Sequence, residues 1–296
     1  MKPIAKQSNK KRAFTIVELL TVMSIIIILM GLLAPAMNRV RRFARKVSQK
    51  NQFHSIDVAM ELFRAEFDGY PNSGALDGST PAGGVPYCGA MKLAEAMVGQ
   101  DLLGFHPNSR FRADGTDGAG NVLYPFPGPP LLINLQARKE YYLQLENANA
   151  YKLNDIYPNI ATSPFNGNRF VLCDVYTPVM NRNTGKKVGM PILYYRANTS
   201  NTRHDSADLP VPGNDKGQIY NYLDNNQLVE LGKPWNPPPT GSNHTLFSDP
   251  TKFYGNTWNN KVSSMVRPYR VDSYILISAG FDGEYGTPDD VFNFGD

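Results

Sequence analysis

The most prominent pattern in the chain is an apolar run of 24 residues, from Phe14 to Met37. As an α-helix this run would extend roughly 36 Å, whereas the hydrocarbon layer of a bilayer is about 30 Å thick. The run is longer than the apolar region of a secretory signal peptide, and no small-x-small cleavage site follows it. It therefore predicts one transmembrane helix over residues 14–37.

The helical pattern continues beyond the apolar run but becomes one-sided. Five apolar side chains recur at spacings of three and four residues, with charged residues between them: Phe53, Ile56, Met60, Phe63 and Phe67. A period of about 3.6 residues predicts an amphipathic helix over residues 38–68 whose apolar stripe packs on a core. Gly69, Tyr70 and Pro71 then predict a turn that ends the helix.

The remaining chain, residues 69–296, alternates short apolar runs with stretches rich in Gly, Pro and Asn. Residues 90–98 predict a helix, and residues 169–176, 190–196 and 274–279 predict strands bounded by turns. We therefore expect an α+β fold. A long N-terminal helix, transmembrane in its first half, packs on a small antiparallel sheet in a globular head. Much of the interval 72–270 would then consist of large loop insertions.

Charge is unevenly distributed along the chain. The net charge is +4, and 11 of the 30 lysines and arginines fall within the first 50 positions. The rest of the chain is slightly acidic, so we expect no nucleic-acid partner.

The two cysteines, Cys88 and Cys173, form no metal-binding spacing with the four histidines. The sequence leaves two states open for them. They form a disulfide if the head lies outside the cytoplasm and their geometry allows it, or they remain buried free thiols.

A single acid, Glu18, interrupts the apolar run four residues after it begins. A carboxylate costs about 2.5–3.5 kcal/mol at the bilayer centre and less near the interface. From its position alone, Glu18 is either an interfacial side chain that reaches the headgroups or a charge retained for a partner. Basic residues flank the apolar run on both sides, so they do not decide its orientation.

The residues around the start of the run carry a more specific signal. The sequence KKRAFTIVE at 10–18 resembles the class III signal of type IV prepilins and type II secretion pseudopilins. In that family a prepilin peptidase cuts before the aromatic residue and methylates the new N-terminus. The resemblance implies a leader over residues 1–13, cleavage between Ala13 and Phe14, and an N-methylated Phe14. The family usually has Gly where this chain has Ala13.

Two further positions match the same family. Glu18 would become the fifth residue of the mature chain and Pro35 the twenty-second, where the family commonly carries an acid and a helix-kinking proline. The resemblance implies that Glu18 of one subunit pairs with the Phe14 amine of its neighbour during assembly.

The resemblance also implies a location and a set of partners. The chain would be a single-pass protein of the bacterial inner membrane, with its leader in the cytoplasm and its body in the periplasm. It would be processed by prepilin peptidase and would form a periplasmic or surface filament with its own copies and other pseudopilins. The inner-membrane platform of the secretion system would be a further partner.

Near the C-terminus, the predicted strand 274–279 runs into a loop with four carboxylates, those of Asp282, Glu284, Asp289 and Asp290. From composition this loop is either a solvated acidic turn or a site for Ca²⁺, which prefers oxygen ligands. It does not have the spacing of an EF-hand. The loop is similar to the calcium loop of the major type II secretion pseudopilin. That resemblance implies a Ca²⁺ site formed by these four side chains and the backbone carbonyl of Ala279.

No nucleophile and base occur in a catalytic sequence context, so we do not expect an enzyme. The leading interpretation is a structural subunit of a type II secretion pseudopilus that drives protein export. One alternative is a type IV pilin for adhesion, motility or DNA uptake. Another is a membrane-tethered binding protein that uses prepilin peptidase only for processing.

Overall fold

One continuous helix forms the N-terminal part of the chain. The computed structural model describes residues 15–79, 84–125, 128–158, 160, 164–181, 184–238, 241–262 and 265–295, and in it helix α1 spans Ile16–Phe67. The helix ends where Asp68 adopts a left-handed conformation with φ of 56°, just before Gly69. Both the long helix and the turn that ends it were predicted from the sequence, and both predictions are confirmed.

The chain divides into two units, Met1–Ala44 and Arg45–Asp296. In the first unit, residues 16–44 are helical, and the side chains whose burial is described are exposed and mostly apolar up to Met37. Among the described helices, α1 is the one that is long and apolar enough to cross a membrane, with a mean hydropathy of 2.7 in its most apolar window. The second unit, which we call the head, contains the remaining elements.

The head combines short helices with short strands. In chain order the elements are α2 (Gly89–Val98), α3 (Leu132–Ala137), α4 (Leu145–Ala148), β1 (Ala150–Lys152), α5 (Leu153–Ile156), β2 (Phe170–Leu172), β3 (Val179–Met180), β4 (Lys187–Val188), β5 (Leu193–Arg196), a 3-10 turn (Tyr222–Asn225), α6 (Asn226–Glu230), α7 (Thr245–Ser248), α8 (Thr251–Thr257), β6 (Tyr274–Ser278) and β7 (Val291–Phe292). Together with α1 they confirm the predicted α+β fold.

The strands form small antiparallel sheets. β1 pairs with β2, β3 pairs with β4, and β5, β6 and β7 form a three-stranded sheet with β6 at its centre. In that sheet Leu193 lies opposite Ile277, and Ser278 lies opposite Val291. The predicted strands at 169–176, 190–196 and 274–279 therefore exist, although each is shorter than predicted.

Every residue of β6 is buried, because apolar clusters cover both faces of the sheet. Tyr274 and Leu276 belong to a cluster that also contains the apolar stripe of α1, including Ile56 and Met60. Ile275 and Ile277 belong to a second cluster. The stripe predicted from the sequence is thus confirmed as core, with Phe67 at its partly buried end.

The second cluster draws much of its apolar surface from the interval predicted as loop insertions. Ile219, Tyr220, Leu228, Leu246 and Phe253 are all buried in it. Since strands buried on both faces carry continuous apolar runs, the sequence of β6 fits this position. The inserted segments therefore form the cover of the second sheet face.

Helix α2 is buried along its whole length, although it carries two charged residues. The Lys92 ammonium donates to the carbonyl oxygens of Gly74 and Leu76, at 2.6 and 2.9 Å. The Glu95 carboxylate accepts hydrogen bonds from Tyr87, Gln100 and Ser109. Because buried charges are costly without partners, these contacts are what allow α2 to pack against β2 and β5.

Cys88 and Cys173 are both buried, and both are free thiols in this structure. Burial raises the pKa of the Cys88 thiol to about 11. Of the two states that the sequence left open, the structure therefore has the reduced one.

The C-terminal strand region is fastened to α1 by one carboxylate. Asp57 accepts two hydrogen bonds from the Arg270 guanidinium, at 3.1 and 3.2 Å, and one from the Tyr274 hydroxyl. Asn293, just after β7, also donates to it at 3.2 Å. One side chain of α1 therefore fixes both ends of the segment that contains the acidic loop.

Candidate functional site

The first candidate site lies at the start of α1, where Thr15 and Glu18 form hydrogen bonds with each other. The Glu18 carboxylate accepts from the backbone N–H of Thr15 at 2.9 Å and from its hydroxyl at 2.8 Å. In return the Thr15 hydroxyl oxygen accepts from the backbone N–H of Glu18 at 3.2 Å. This reciprocal arrangement is a capping box, which satisfies two N–H groups that the helix itself cannot satisfy.

The capping box gives Glu18 a local role that was not among the roles predicted from the sequence. The signal was present, because Thr-x-x-Glu before an apolar run is the sequence pattern of such a cap. Ala13 and Phe14, the predicted cleavage site, lie outside the described residues. Helix α1 includes Pro35, and the bend predicted there stays a prediction.

The second candidate site is the acidic loop that follows β6. Gly280 begins it with φ of +67°, and a Cβ at this position would lie 2.2 Å from the backbone oxygen of Asp289. Only glycine therefore allows the loop to close this tightly. Asp289 completes the closure, since its Oδ2 accepts from the N–H groups of Phe281 and Asp282 at 2.8 and 3.1 Å.

The aspartates of the loop lie close enough to influence one another. Burial raises the pKa of Asp290 to about 8, and the negative charges of Asp289 and Asp282 contribute to the increase. The pKa of Asp282 is also raised, first by burial and then by Asp289. One oxygen of Asp290 accepts from the N–H of Gly286 at 2.8 Å, while the other is buried and has no hydrogen-bond partner among the residues that the structure describes.

Glu284 has other partners within the head. Its Oε2 forms an ion pair with Lys233, and its Oε1 accepts from the hydroxyl of Thr245 at 2.6 Å. Both oxygens are therefore engaged, and a cation bound by Glu284 would compete with Lys233. The partner residues are 51 and 39 positions away in the sequence, so no local pattern could have revealed them.

The loop is a partial fit to a hard cation. Its potential ligand atoms are oxygens, its aspartates repel one another, and one buried carboxylate oxygen of Asp290 has no hydrogen-bond partner in the described part of the head. Ala279, whose backbone carbonyl was expected to contribute to the site, is fully buried at the base of the loop. However, within the described part of the chain, no three His, Cys, Asp or Glu side chains are arranged as a metal site.

The loop is connected to the core through Ser278 and Asp174. The Ser278 hydroxyl donates to the fully buried carboxylate of Asp174 at 2.9 Å and accepts from the N–H of Gly280 at 3.2 Å. Asp174 also accepts from the N–H groups of Met190 and Tyr176. In the sequence, this network is signalled only by two polar residues within predicted strands, Asp174 in 169–176 and Ser278 in 274–279.

Comparison with known families identifies the N-terminal site. A model of the prokaryotic N-terminal methylation motif matches residues 8–34. This motif indicates a type IV pilin-like protein. No curated protein and no solved structure matches the chain.

Several expectations follow for a type IV pilin-like protein. The motif implies processing by prepilin peptidase and assembly into a pilin-like filament, and such proteins are structural rather than enzymatic. Together with the apolar helix it indicates a single-pass, membrane-anchored chain. The match covers residues 8–34 and does not extend to the acidic loop, so it does not distinguish a secretion pseudopilin from a pilin.

The pH dependence of the free energy of unfolding tests whether the buried Asp174 carboxyl is protonated in the folded state. Burial raises the pKa of this carboxyl to about 7, against 3.8 in the unfolded chain, although the hydrogen bond from Ser278 opposes the increase. Between about pH 4 and 7 the folded state holds a proton that the unfolded state releases, so stability falls as pH rises. Asp174→Asn mimics the neutral form and should weaken this fall by about 2–4 kcal/mol.

Chemical unfolding of the wild type and the variant at several pH values measures the effect. A residual slope is expected, because burial also raises the pKa of Asp224 to about 6 and that of Asp290 to about 8. Identical pH slopes for the two proteins would show that Asp174 is ionised in the folded state throughout this range.

Proposed function

We propose that this type IV pilin-like protein is a structural subunit of a type II secretion pseudopilus. The observation that supports the secretion role is the tightly closed acidic loop after β6, which is similar to the calcium loop of the major pseudopilin. On this proposal the leader 1–13 faces the cytoplasm and the head faces the periplasm. Filament growth from the inner-membrane platform would then drive protein export.

The N-terminal site supplies the assembly chemistry in this proposal. Cleavage between Ala13 and Phe14 would leave a cationic amine next to an apolar helix. In a low-dielectric environment, an unpaired cation and an unpaired carboxylate are both strongly unfavourable, and pairing them removes much of the penalty. Glu18 of one subunit would therefore receive the Phe14 amine of the next. To do so it would exchange or share the hydrogen bonds that it now forms with Thr15.

Matched substitutions separate the charge of Glu18 from its capping role. Glu18→Gln keeps a capping-box side chain but removes the negative charge, and Thr15→Ala keeps the charge but removes the cap. We expect Glu18→Gln to abolish filament assembly and Thr15→Ala to preserve it. Filaments sheared from cells that overproduce the protein, followed by electron microscopy, report assembly.

The same strains also test the secretion role. Loss of exported proteins from the medium with the Glu18→Gln variant is the result expected for a pseudopilin. Normal filaments with Glu18→Gln would show that the glutamate serves as a cap and not as a partner for an amine. Assembly-dependent loss of adhesion or motility, with export intact, would instead favour a type IV pilin.

We further propose that the acidic loop binds Ca²⁺. The ion would be held by the side chains of Asp282, Asp289 and Asp290 and by the backbone carbonyl of Ala279. Its positive charge would offset the negative charges of the three aspartates. Glu284 remains the least favourable ligand, because its ion pair with Lys233 would have to open. A bound ion would link the end of β6 to the start of β7 and so hold the C-terminal segment in place.

Thermal unfolding of the full-length protein in detergent tests the calcium site. Ca²⁺ at a hundredfold excess over Kd should stabilise the head by about 2.7 kcal/mol relative to EDTA, which corresponds to roughly 5–10 °C in Tm. Asp290→Asn should remove the response, because it keeps an acceptor for Gly286 but lowers the charge. Asp272→Asn, at an exposed position before β6, is the control and should respond as the wild type does.

Equal melting temperatures of the wild type in Ca²⁺ and in EDTA would exclude the calcium site. A response that persists in Asp290→Asn would place the ion elsewhere.

A further inference from the structure

A polar cavity of about 400 Å³ lies in the head, and its lining includes none of the residues of the two sites described above. It is lined by the turn that follows α1, at residues 72–74, by the chain that leaves β5, at residues 196–200, and by part of the segment 215–224. Most of its lining side chains carry amide, hydroxyl or charged groups. Much of the lining thus comes from the inserted part of the chain.

The cavity contains one carboxylate that is fixed in place. Asp224 is only 9% exposed, and one of its oxygens accepts a hydrogen bond from the Ser73 hydroxyl. The Ser73 oxygen in turn accepts from the backbone N–H of Arg196 at 3.0 Å, so the hydroxyl cannot rotate freely. The second oxygen of Asp224 accepts no hydrogen bond from the described residues. It is therefore an oriented acceptor available to a ligand.

Unused donors line the same cavity. The exposed Arg196 guanidinium forms no ion pair or hydrogen bond with the described residues. Asn72 and Asn221 use their side-chain oxygens internally, to accept from the N–H groups of Gly74 at 2.7 Å and Leu223 at 3.0 Å. Their amide NH₂ groups donate to none of the described residues, so they can donate to a ligand.

The balance of charge argues against an ionic ligand. Asp224 and Asp215 are offset by Arg196 in the lining and by the buried Lys92 behind it. Burial raises the pKa of Asp224 to about 6, and the hydrogen bond from Ser73 and the charge of Lys92 oppose this increase. The groups available for binding are instead one strong acceptor and several donors. Hydroxyl groups match this set, because each one can donate to the carboxylate and accept from an amide or guanidinium.

We propose that this cavity binds a neutral saccharide. Neighbouring hydroxyl groups of the sugar would donate to Asp224 and accept from Arg196, Asn72 and Asn221. The described lining residues include no aromatic side chain on which a sugar ring could stack. Without such stacking we expect weak affinity for a monosaccharide, with a Kd of about a millimolar. This inference concerns the single subunit and does not depend on the secretion role.

Saturation-transfer NMR on the full-length protein in phosphatidylcholine nanodiscs tests the proposal. Nanodiscs are required because glycoside detergents would compete for the site. Glucose, galactose and N-acetylglucosamine are the probes, with acetate and ethylammonium as ionic controls. At least one sugar should give a signal, and neither ion should.

Two variants locate the site. Asp224→Asn retains an acceptor for Ser73 but loses the charge, and Arg196→Gln changes an exposed side chain. Each should weaken sugar binding by about tenfold or more, since each removes a charge-assisted hydrogen bond. Asp114→Asn, which removes an exposed ion pair with Arg112 and does not alter a lining residue, should bind as the wild type does.

Three outcomes would overturn the proposal. These are the absence of a signal from all three sugars, sugar signals that are unchanged in both variants, and an acetate signal that Arg196→Gln abolishes. Circular dichroism melting shows whether each variant is folded. If Asp224→Asn fails to fold, Arg196→Gln decides the question, because its side chain is exposed.

Discussion

Burial of β6 on both faces is the constraint on which the rest of the head depends. Tyr274 and Leu276 require the apolar stripe of α1 as their cover, and Ile275 and Ile277 require a second cover on the opposite face. A sheet with only α1 beside it would leave that second face in water. The inserted segments around Ile219 and Phe253 remove this surface. They are therefore part of the folding unit and not appendages to it.

The same strand positions the acidic loop. β6 ends at Ser278, whose hydroxyl joins the buried Asp174 to the first turn of the loop. Asp57 on α1 holds the segment on both sides of the loop, because it accepts hydrogen bonds from Arg270 before β6 and from Asn293 after β7. The loop thus extends from a rigid base, and its aspartates are brought together in spite of their mutual repulsion. A cation at this position would relieve that repulsion without moving the base.

Periodicity made much of this fold predictable, and long-range contacts account for most of what was not. The stripe from Phe53 to Phe67 and the apolar run of β6 are local patterns, so their elements could be predicted from the sequence. The strand expected at 169–176 ends early, at Leu172. Beyond it, the Asp174 side chain accepts hydrogen bonds from the N–H groups of Tyr176 and Met190, which are then not available to pair strands. The pairing of Glu284 with Lys233 likewise has no local signature, whereas the cap formed by Thr15 and Glu18 had one.

The N-terminal motif and the long apolar helix support the account of this chain as a processed, pilin-like filament subunit. Its most direct test is mass spectrometry of the N-terminal peptide of the protein isolated from its native membrane. The account predicts a mature chain that begins at Phe14 and carries one methyl group on its amine. A chain that retains residues 1–13, or that begins at an unmethylated residue elsewhere, would contradict it.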